Sequence, residues 1–300
     1  MIWDRAQHNA FTDLARARGR WYCVFREAAK HQGSVGKIRV LSSTDGAAWK
    51  SAALVEQPGV DLRDPKISVA PRGDLQLLMG GTAMHGGLAA SRRPRLSSST
   101  DGSAWTPPAP LLEEGDWLWR LTWLGRKSYG ISYRLVSSRR WDVQLVESDH
   151  VGVHRKVLDL GVPGKPNEST LRFLRNGRAV ALVRREAGGG RAWIGTSIPP
   201  YSRWRWKETS ERVGGPNFLV LSNGTMWAAT RIWRSGAPNV SICRMSEDNV
   251  VPVLSLPSGG DCGYPGMVFH RGLLCVSYYS SHEGRTRIYL AKIRLGEARK

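Results

Sequence analysis

The chain has 300 residues, of which 41% are apolar and 23% charged, and its thirteen tryptophans require a packed interior, so a disordered chain is excluded. No apolar run approaches the roughly 18–20 residues of a membrane-spanning helix, so no membrane partner is expected. With 44 Lys and Arg against 25 Asp and Glu, the net charge of +19 fits either an Arg-rich composition or attraction to an anionic partner. No Lys/Arg-rich tail or zinc finger points to a dedicated nucleic-acid module, so nucleic acid is not the expected partner.

The N-terminal run Met1–His8 lacks the apolar core of a signal peptide. The expected location is therefore the cytoplasm, or outside it if a leader precedes this sequence. From Gly19 onward one element recurs: a turn glycine followed by a short alternating strand. Gly19 opens Arg20–Arg26, Gly73 opens Asp74–Leu78 and Gly125 opens Lys127–Arg134. Gly177 then opens Ala179–Arg184, Gly224 opens Met226–Arg231 and Gly272 opens Leu273–Tyr278, giving spacings of 54, 52, 52, 47 and 48 residues. A second marker, a strand ending in serine, recurs at Ser43, Ser99, Ser148, Ser197 and Ser246. No segment sustains a 3.6-residue apolar period, whereas period-2 runs of β-branched and aromatic residues are common.

Each unit of about 50 residues has room for four strands but cannot bury both faces of its own sheet. Radial packing of six such sheets solves this. The expected architecture is all-β, a single six-bladed β-propeller over residues 1–300. Cys23, Cys243, Cys262 and Cys275 form no CxxC pair and read as buried thiols. No metal-ligand spacing, phosphate loop, HExxH or GxSxG is present, so neither metal nor cofactor is expected.

In a propeller the innermost strand of each blade delivers residues to the mouth of the central channel. The strands before each glycine place Asp13, Arg63 or Asp64, Trp119 or Arg120, Glu168, Asn217 and Tyr264 there. The ends of the following strands add Arg26, Glu27, Arg134, Arg184, Arg231 and Tyr278. Such a ring of guanidinium groups suits bidentate recognition of a carboxylate. A phenol such as Tyr264 is a poor nucleophile with its pKa near 10, and a nearby carboxylate such as Glu168 can take its proton. For a general acid the candidates are Asp64, Glu27 and His31, with Asp64 preferred; His85 and His282 read as solvated. Trp117 and Trp119 could stack on a sugar face or pack between blades, and Trp204 and Trp206 read as outer-strand packing.

Two serine markers continue into turns, Ser43-Thr44-Asp45-Gly46-Ala47-Ala48-Trp49 and Ser99-Thr100-Asp101-Gly102-Ser103-Ala104-Trp105. These resemble the Asp-box (BNR) turn of sialidases, one residue shorter. In the last three blades, Asn167–Leu171 leads to Arg184, Asn217–Val220 leads to Arg231, and Gly263–Val268 leads to Tyr278 and Tyr279. This is similar to the sialidase order of a glutamate, an arginine sixteen residues on, an arginine in the next blade and a tyrosine in the last. The resemblance implies an exo-acting glycosidase on a terminal acidic sugar. By this resemblance Glu168 would activate Tyr264 as the nucleophile, and Arg184 and Arg231 would clamp the substrate carboxylate; the channel-mouth reading adds Asp64 as the acid and Arg26, Arg63, Arg120 and Tyr278 as substrate contacts. The family's first clamp arginine has no counterpart at Phe11-Thr12-Asp13-Leu14, nor its acid between Lys30 and Gly36. A non-catalytic propeller binding an anionic glycan, and a polysaccharide lyase acting on a uronate, are the alternatives.

Overall fold

The computed structural model describes residues 1–86, 88–150 and 153–296. Six antiparallel sheets follow one another along the chain, each paired in sequence order from an inner to an outer strand. The inner strands are His8–Ala17, Val60–Val69, the broken pair Asp116–Leu118 and Thr122–Leu124, Pro166–Phe173, Gly214–Val220 and Cys262–His270. The glycine-led runs form the second strand of every blade, and the serine markers fall within two residues of the end of the third. The chain is a six-bladed β-propeller, as its repeat requires.

Burial follows from this stacking. Second strands such as Ala179–Arg185 are buried on both faces, whereas outer strands such as Val153–Asp159 alternate between exposed and half-buried positions. The apolar residues gather into six clusters, and each cluster fills the seam between two neighbouring blades. No blade owns a core, so the packing energy exists only in the closed ring.

Closure needs the two ends of the chain to meet. Blade six has three strands of its own, ending at Arg287–Arg294. The N-terminal segment supplies the missing edge: Ile2 N donates to Ile288 O at 2.7 Å and Ile288 N donates to Trp3 O at 2.8 Å. Trp3 is buried there, and its Nε1 donates to Glu27 of blade one at 2.6 Å.

Around the axis a polar ring stitches the inner strands together. Asp13 Oδ2 accepts from Ile67 N of blade two at 2.9 Å and from Arg120 Nη1 of blade three at 2.6 Å. Arg172 of blade four reaches Thr122 Oγ1 in blade three at 2.6 Å, and Asn217 Oδ1 and Phe218 O in blade five at 3.1 and 3.0 Å. Asn217 Nδ2 donates to Pro265 O of blade six, and Thr12 Oγ1 donates to Tyr264 O across the closing seam. Burial lowers the pKa of Arg172 to about 9. Its several acceptors satisfy donors that would otherwise be costly to bury.

The turns containing Asp45 and Asp101 lie at the end of their blades away from the strand bulges described below. Asp45 Oδ1 accepts from the N–H groups of Ala47 and Ala48, and Asp101 Oδ1 from those of Ser103 and Ala104. Among the described residues no helix is long and apolar enough to cross a membrane.

Candidate functional site

Every inner strand is interrupted at the same level. The ladder skips residues between Ala10 and Asp13, Arg63 and Lys66, Pro166 and Ser169, Gly214 and Asn217, and Gly263 and Gly266. In blade three the strand breaks outright at Trp119–Leu121. A bulge turns a side chain out of the sheet, and here it aims residues at one mouth of the channel. Phe11, Asp64 and Tyr264 sit in these bulges with φ of 63°, 48° and 49°. Left-handed backbone at bulky non-glycine residues is a stored cost, held by the surrounding fold. Three bulges carry a proline as their second residue, Pro65, Pro216 and Pro265, where the interrupted ladder needs no N–H.

Two of these features form the centre of the site. Tyr264 Oη donates to Glu168 Oε1 at 2.5 Å. The other carboxylate oxygen accepts from Arg184 Nη1 at 2.7 Å and Gly215 N at 2.6 Å. Gly215 must be glycine, because its φ is +59° and a Cβ would lie 2.9 Å from the Tyr264 ring. Arg184 also pairs with Glu186 at 2.6 Å, and Asn167 Nδ2 holds that same Glu186 oxygen at 2.9 Å.

This environment favours the proton on the phenol. Burial and the charge of Glu168 push the Tyr264 phenol well above its usual pKa, with Arg184 and Arg231 opposing. Burial would also raise Glu168, but the charge and hydrogen bond of Arg184, then Tyr264 and Arg231, hold it below the ordinary carboxylate value. The resting pair is a neutral phenol against an ionised carboxylate ready to accept its proton.

Beneath and beside Tyr264 lie groups that stabilise negative charge on it. Lys66 Nζ stands 5.8 Å from the Tyr264 ring centroid and 4.4 Å from that of Trp119, while bonding Pro65 O at 3.1 Å. Burial depresses its pKa to about 8, against the opposing charge of Asp64. The Arg231 guanidinium carbon is 5.6 Å from the Tyr264 centroid, and Nη1 donates to Cys262 O at 3.0 Å. Phe11 meets Tyr264 edge-on at 5.0 Å.

Above this floor opens a cleft of about 790 Å³, walled by Asp61, Arg63, Asp64, Arg92, Trp117, Tyr133 and the loop of His31–Gly33. The Asp64 carboxylate makes no hydrogen bond among the described residues. Burial raises its pKa, partly countered by Arg63 and Lys66. It is thus a carboxyl biased toward its protonated form and facing the same cleft as Tyr264 and Glu168.

Not every expected substrate contact is there. Of the candidate residues, Tyr264, Glu168, Asp64, Arg63 and Arg184 line the cleft. Arg26 does not: it is fully buried, with Nε and Nη2 on Asp61 Oδ1 and further bonds to Lys30 O and Ser34 O. Arg120 belongs to the axial ring through Asp13. Tyr278 lies in the seam between blades five and six, stacked on Tyr289 at 5.3 Å and bonded to Pro257 O. Arg231 supports Tyr264 from the side and does not line the cleft. Of the five arginines expected as substrate contacts, only Arg63 and Arg184 therefore line the cleft.

Glu27 bonds Trp3 and Arg39, outside the cleft, and His282 bonds Ser280 Oγ. Trp117 forms part of the cleft wall and Trp119 packs under Tyr264, whereas Trp204 and Trp206 stack on each other at 5.5 Å. Lys66, Gly215, Glu186 and Arg92 were not anticipated. For Gly215 and Lys66 a signal was available: the prolines in Asp64-Pro65-Lys66 and Gly215-Pro216 match Tyr264-Pro265 in strand position.

No protein-family model matches the chain, and no curated protein matches it significantly. Solved structures do. A protein of unknown function from Dyadobacter fermentans has a TM-score of 0.83 at 17% identity, covering 98% of this chain and 97% of that one. An α-L-arabinofuranosidase of Fusarium graminearum, solved as a mutant in complex with an iminosugar inhibitor, has a TM-score of 0.75 at 13% identity. That match covers 98% of this chain and 96% of the other. A Trypanosoma rangeli sialidase in complex with the inhibitor DANA has a TM-score of 0.73 at 10% identity, and the match covers 96% of this chain but 55% of the sialidase. At these identities the likeness establishes a fold shared with glycoside hydrolases.

Proposed function

We propose that the protein is a glycoside hydrolase that removes a terminal sugar by a double displacement on Tyr264. The observation that carries this reading is the 2.5 Å Tyr264–Glu168 hydrogen bond on the floor of the cleft. Glu168 takes the phenol proton as Tyr264 Oη bonds to the anomeric carbon. Asp64 delivers a proton to the departing oxygen, giving a glycosyl–tyrosine intermediate. In the second half Asp64 accepts a proton from water, the water oxygen bonds to the anomeric carbon, and the phenol leaves with the proton held by Glu168. Tyrosine nucleophiles are a known exception to the two-carboxylate rule of glycosidases. Phenolate charge in the transition states is met by Arg184, Arg231 and Lys66.

The cleft is lined by four carboxylates, Asp61, Asp64, Glu168 and Glu186, and three guanidiniums, Arg63, Arg92 and Arg184. Arg184 is held between Glu168 and Glu186. This balance supports a neutral terminal sugar as substrate. An acidic sugar is the second reading, favoured by the use of a neutral nucleophile. Its carboxylate would bind Arg63 and Arg92, which give only part of their N–H groups to Asp61, His31 O and Gly115 O.

The test is a panel of fluorogenic neutral and acidic glycosides, including α-L-arabinofuranosides and sialosides, with wild type and Tyr264→Phe. Turnover by wild type and a loss of about 10⁴-fold or more in the variant is expected. Unchanged turnover in the variant would eliminate Tyr264 as nucleophile. Saturable glycan binding with no product would favour a binding module, and an unsaturated product absorbing in the ultraviolet would favour a lyase.

A further inference from the structure

We infer that His8, His31 and Asp261 form a binding site for a divalent first-row transition ion at the rim of the cleft. The three residues come from distant parts of the chain. His8 begins the inner strand of blade one, His31 lies on the loop after that blade's second strand, and Asp261 immediately precedes the inner strand of blade six. Their ligand atoms all lie within 4.8 Å of one another. Asp261 Oδ2 is 2.9 Å from His8 Nε2 and 2.8 Å from His31 Nδ1, and the two imidazole rings stand 5.2 Å apart at 70°.

Two imidazole nitrogens gathered on one carboxylate oxygen make a donor set suited to zinc or iron(II), which would leave positions open. Bonds of about 2.0–2.1 Å in tetrahedral geometry need ligand atoms roughly 3.3–3.4 Å apart. Each contact must therefore widen by about half an ångström, a small side-chain rotation for His31, whose side chain is 42% exposed. The surroundings orient Asp261 as outer-shell groups do in metal sites. Tyr279 Oη donates to Asp261 Oδ1 at 2.8 Å, and the Asp261 N–H is held by Ser281 Oγ at 2.9 Å. Phe11 packs edge-on against His31 at 5.2 Å, giving the site an apolar side. His31 also lines the cleft, so water or a sugar hydroxyl would complete the coordination from there.

The ion would fasten the His31 loop to the seam between blades one and six. Arg63 Nη1 donates to His31 O at 3.1 Å, so the same ion would fix a wall of the cleft. The inference does not depend on the glycosidase reading.

The experiment uses the full, untagged chain, stripped with a chelator and dialysed. Zn²⁺ is titrated calorimetrically, and Co²⁺ is added separately for its visible absorption. One ion per chain is expected, with a four- or five-coordinate cobalt spectrum and a rise in Tm on adding Zn²⁺. His31→Ala, on an exposed loop, should keep its far-UV circular dichroism and its metal-free Tm while losing at least about tenfold in affinity. Tyr279→Phe, which spares all three ligands, should retain the stoichiometry and weaken binding by about 10-fold or more. Absence of saturable binding to the folded wild-type chain at about 100 μM Zn²⁺, an affinity too weak to stabilise it appreciably, would overturn the inference. So would one-site binding that His31→Ala leaves unchanged.

Discussion

Replacing Glu168 by Gln tests the centre of the site with one atom. Three donors, Tyr264 Oη, Arg184 Nη1 and Gly215 N, converge on the two carboxylate oxygens. An amide offers one acceptor oxygen and places an NH₂ against the remaining donor. The least costly arrangement keeps the amide oxygen on Arg184 and Gly215 and turns the NH₂ toward the phenol, which rotates to accept. Arg184 retains Glu186, so no unpaired guanidinium is left. The bonds with Tyr264 and Gly215 become neutral ones, which are roughly half as strong, while that with Arg184 keeps its cationic donor. With charge-assisted bonds worth about 1.5–3 kcal/mol each, halving two of them loses about 1.5–3 kcal/mol. That corresponds to a Tm lower by roughly 4–10 °C at pH 7. Glu168 has a lowered folded-state pKa, so its contribution is present above the ordinary glutamate value and disappears as pH falls through the folded one. The Tm gap should accordingly narrow in acid. With no base for the phenol, kcat should fall by about 10²–10⁴-fold. Scanning calorimetry across pH and initial rates on the best substrate of the glycoside panel measure both effects. A variant with unchanged Tm at pH 7, or with kcat within about threefold of wild type, well short of the loss expected from removing a general base, refutes this account of Glu168.

The remaining predictions concern the acid, the axial ring and the closure. Asp64 has a raised folded-state pKa, so activity needing its protonated form should fall as pH rises through that value, and Asp64→Asn should abolish this limb and lower kcat by about 10²–10⁴-fold. The same shift means the folded chain holds that proton more tightly than the unfolded one, so wild type loses stability with rising pH. The Asn variant should therefore melt higher than wild type at pH 7 and about equally at pH 3, as calorimetry would show. Arg120→Met breaks the buried pair with Asp13 and should cost about 3–5 kcal/mol, while kcat per folded molecule stays unchanged, since Arg120 does not reach the cleft. Deleting residues 1–5 removes Trp3 and its bridge to Ile288. The loss should be at least the roughly 3–5 kcal/mol of a large buried aromatic side chain, and limited proteolysis should then cut at the seam between blades one and six.

What could be read from the sequence divides along the range of the interaction. The blades were legible because each is a local unit: a turn glycine, an alternating strand and a serine-ended strand recur about every 50 residues. Tyr264, Glu168 and Arg184 were legible because Glu168 and Tyr264 lie at the same level of blades four and six and Arg184 stands on the strand beside Glu168, so the repeat alone brings them near one another. The fate of the other arginines was not. Arg26 and Arg63 share Asp61, Arg120 has Asp13, and Arg184 has two carboxylates. The pairings of Arg26 and Arg120 join different blades, and that of Arg184 with Glu168 joins neighbouring strands. The repeat shows which residues face the axis but not which of them reach a partner there.

The same geometry explains why a ring dense in guanidiniums need not be an anion trap. Side chains at the axis are close enough to satisfy one another, and an arginine already paired with a buried carboxylate has little to offer a ligand. Only residues lifted out of the ladder by the bulges, or standing on the cleft wall beside them, keep free valence toward a substrate. Asp64 and Tyr264 have both the bulge and the left-handed backbone, whereas Arg26 and Arg120 do not. Position in a bulge, and not net charge, is what separates Asp64, Glu168 and Tyr264, which line the cleft, from Arg26 and Arg120, which hold the wheel together.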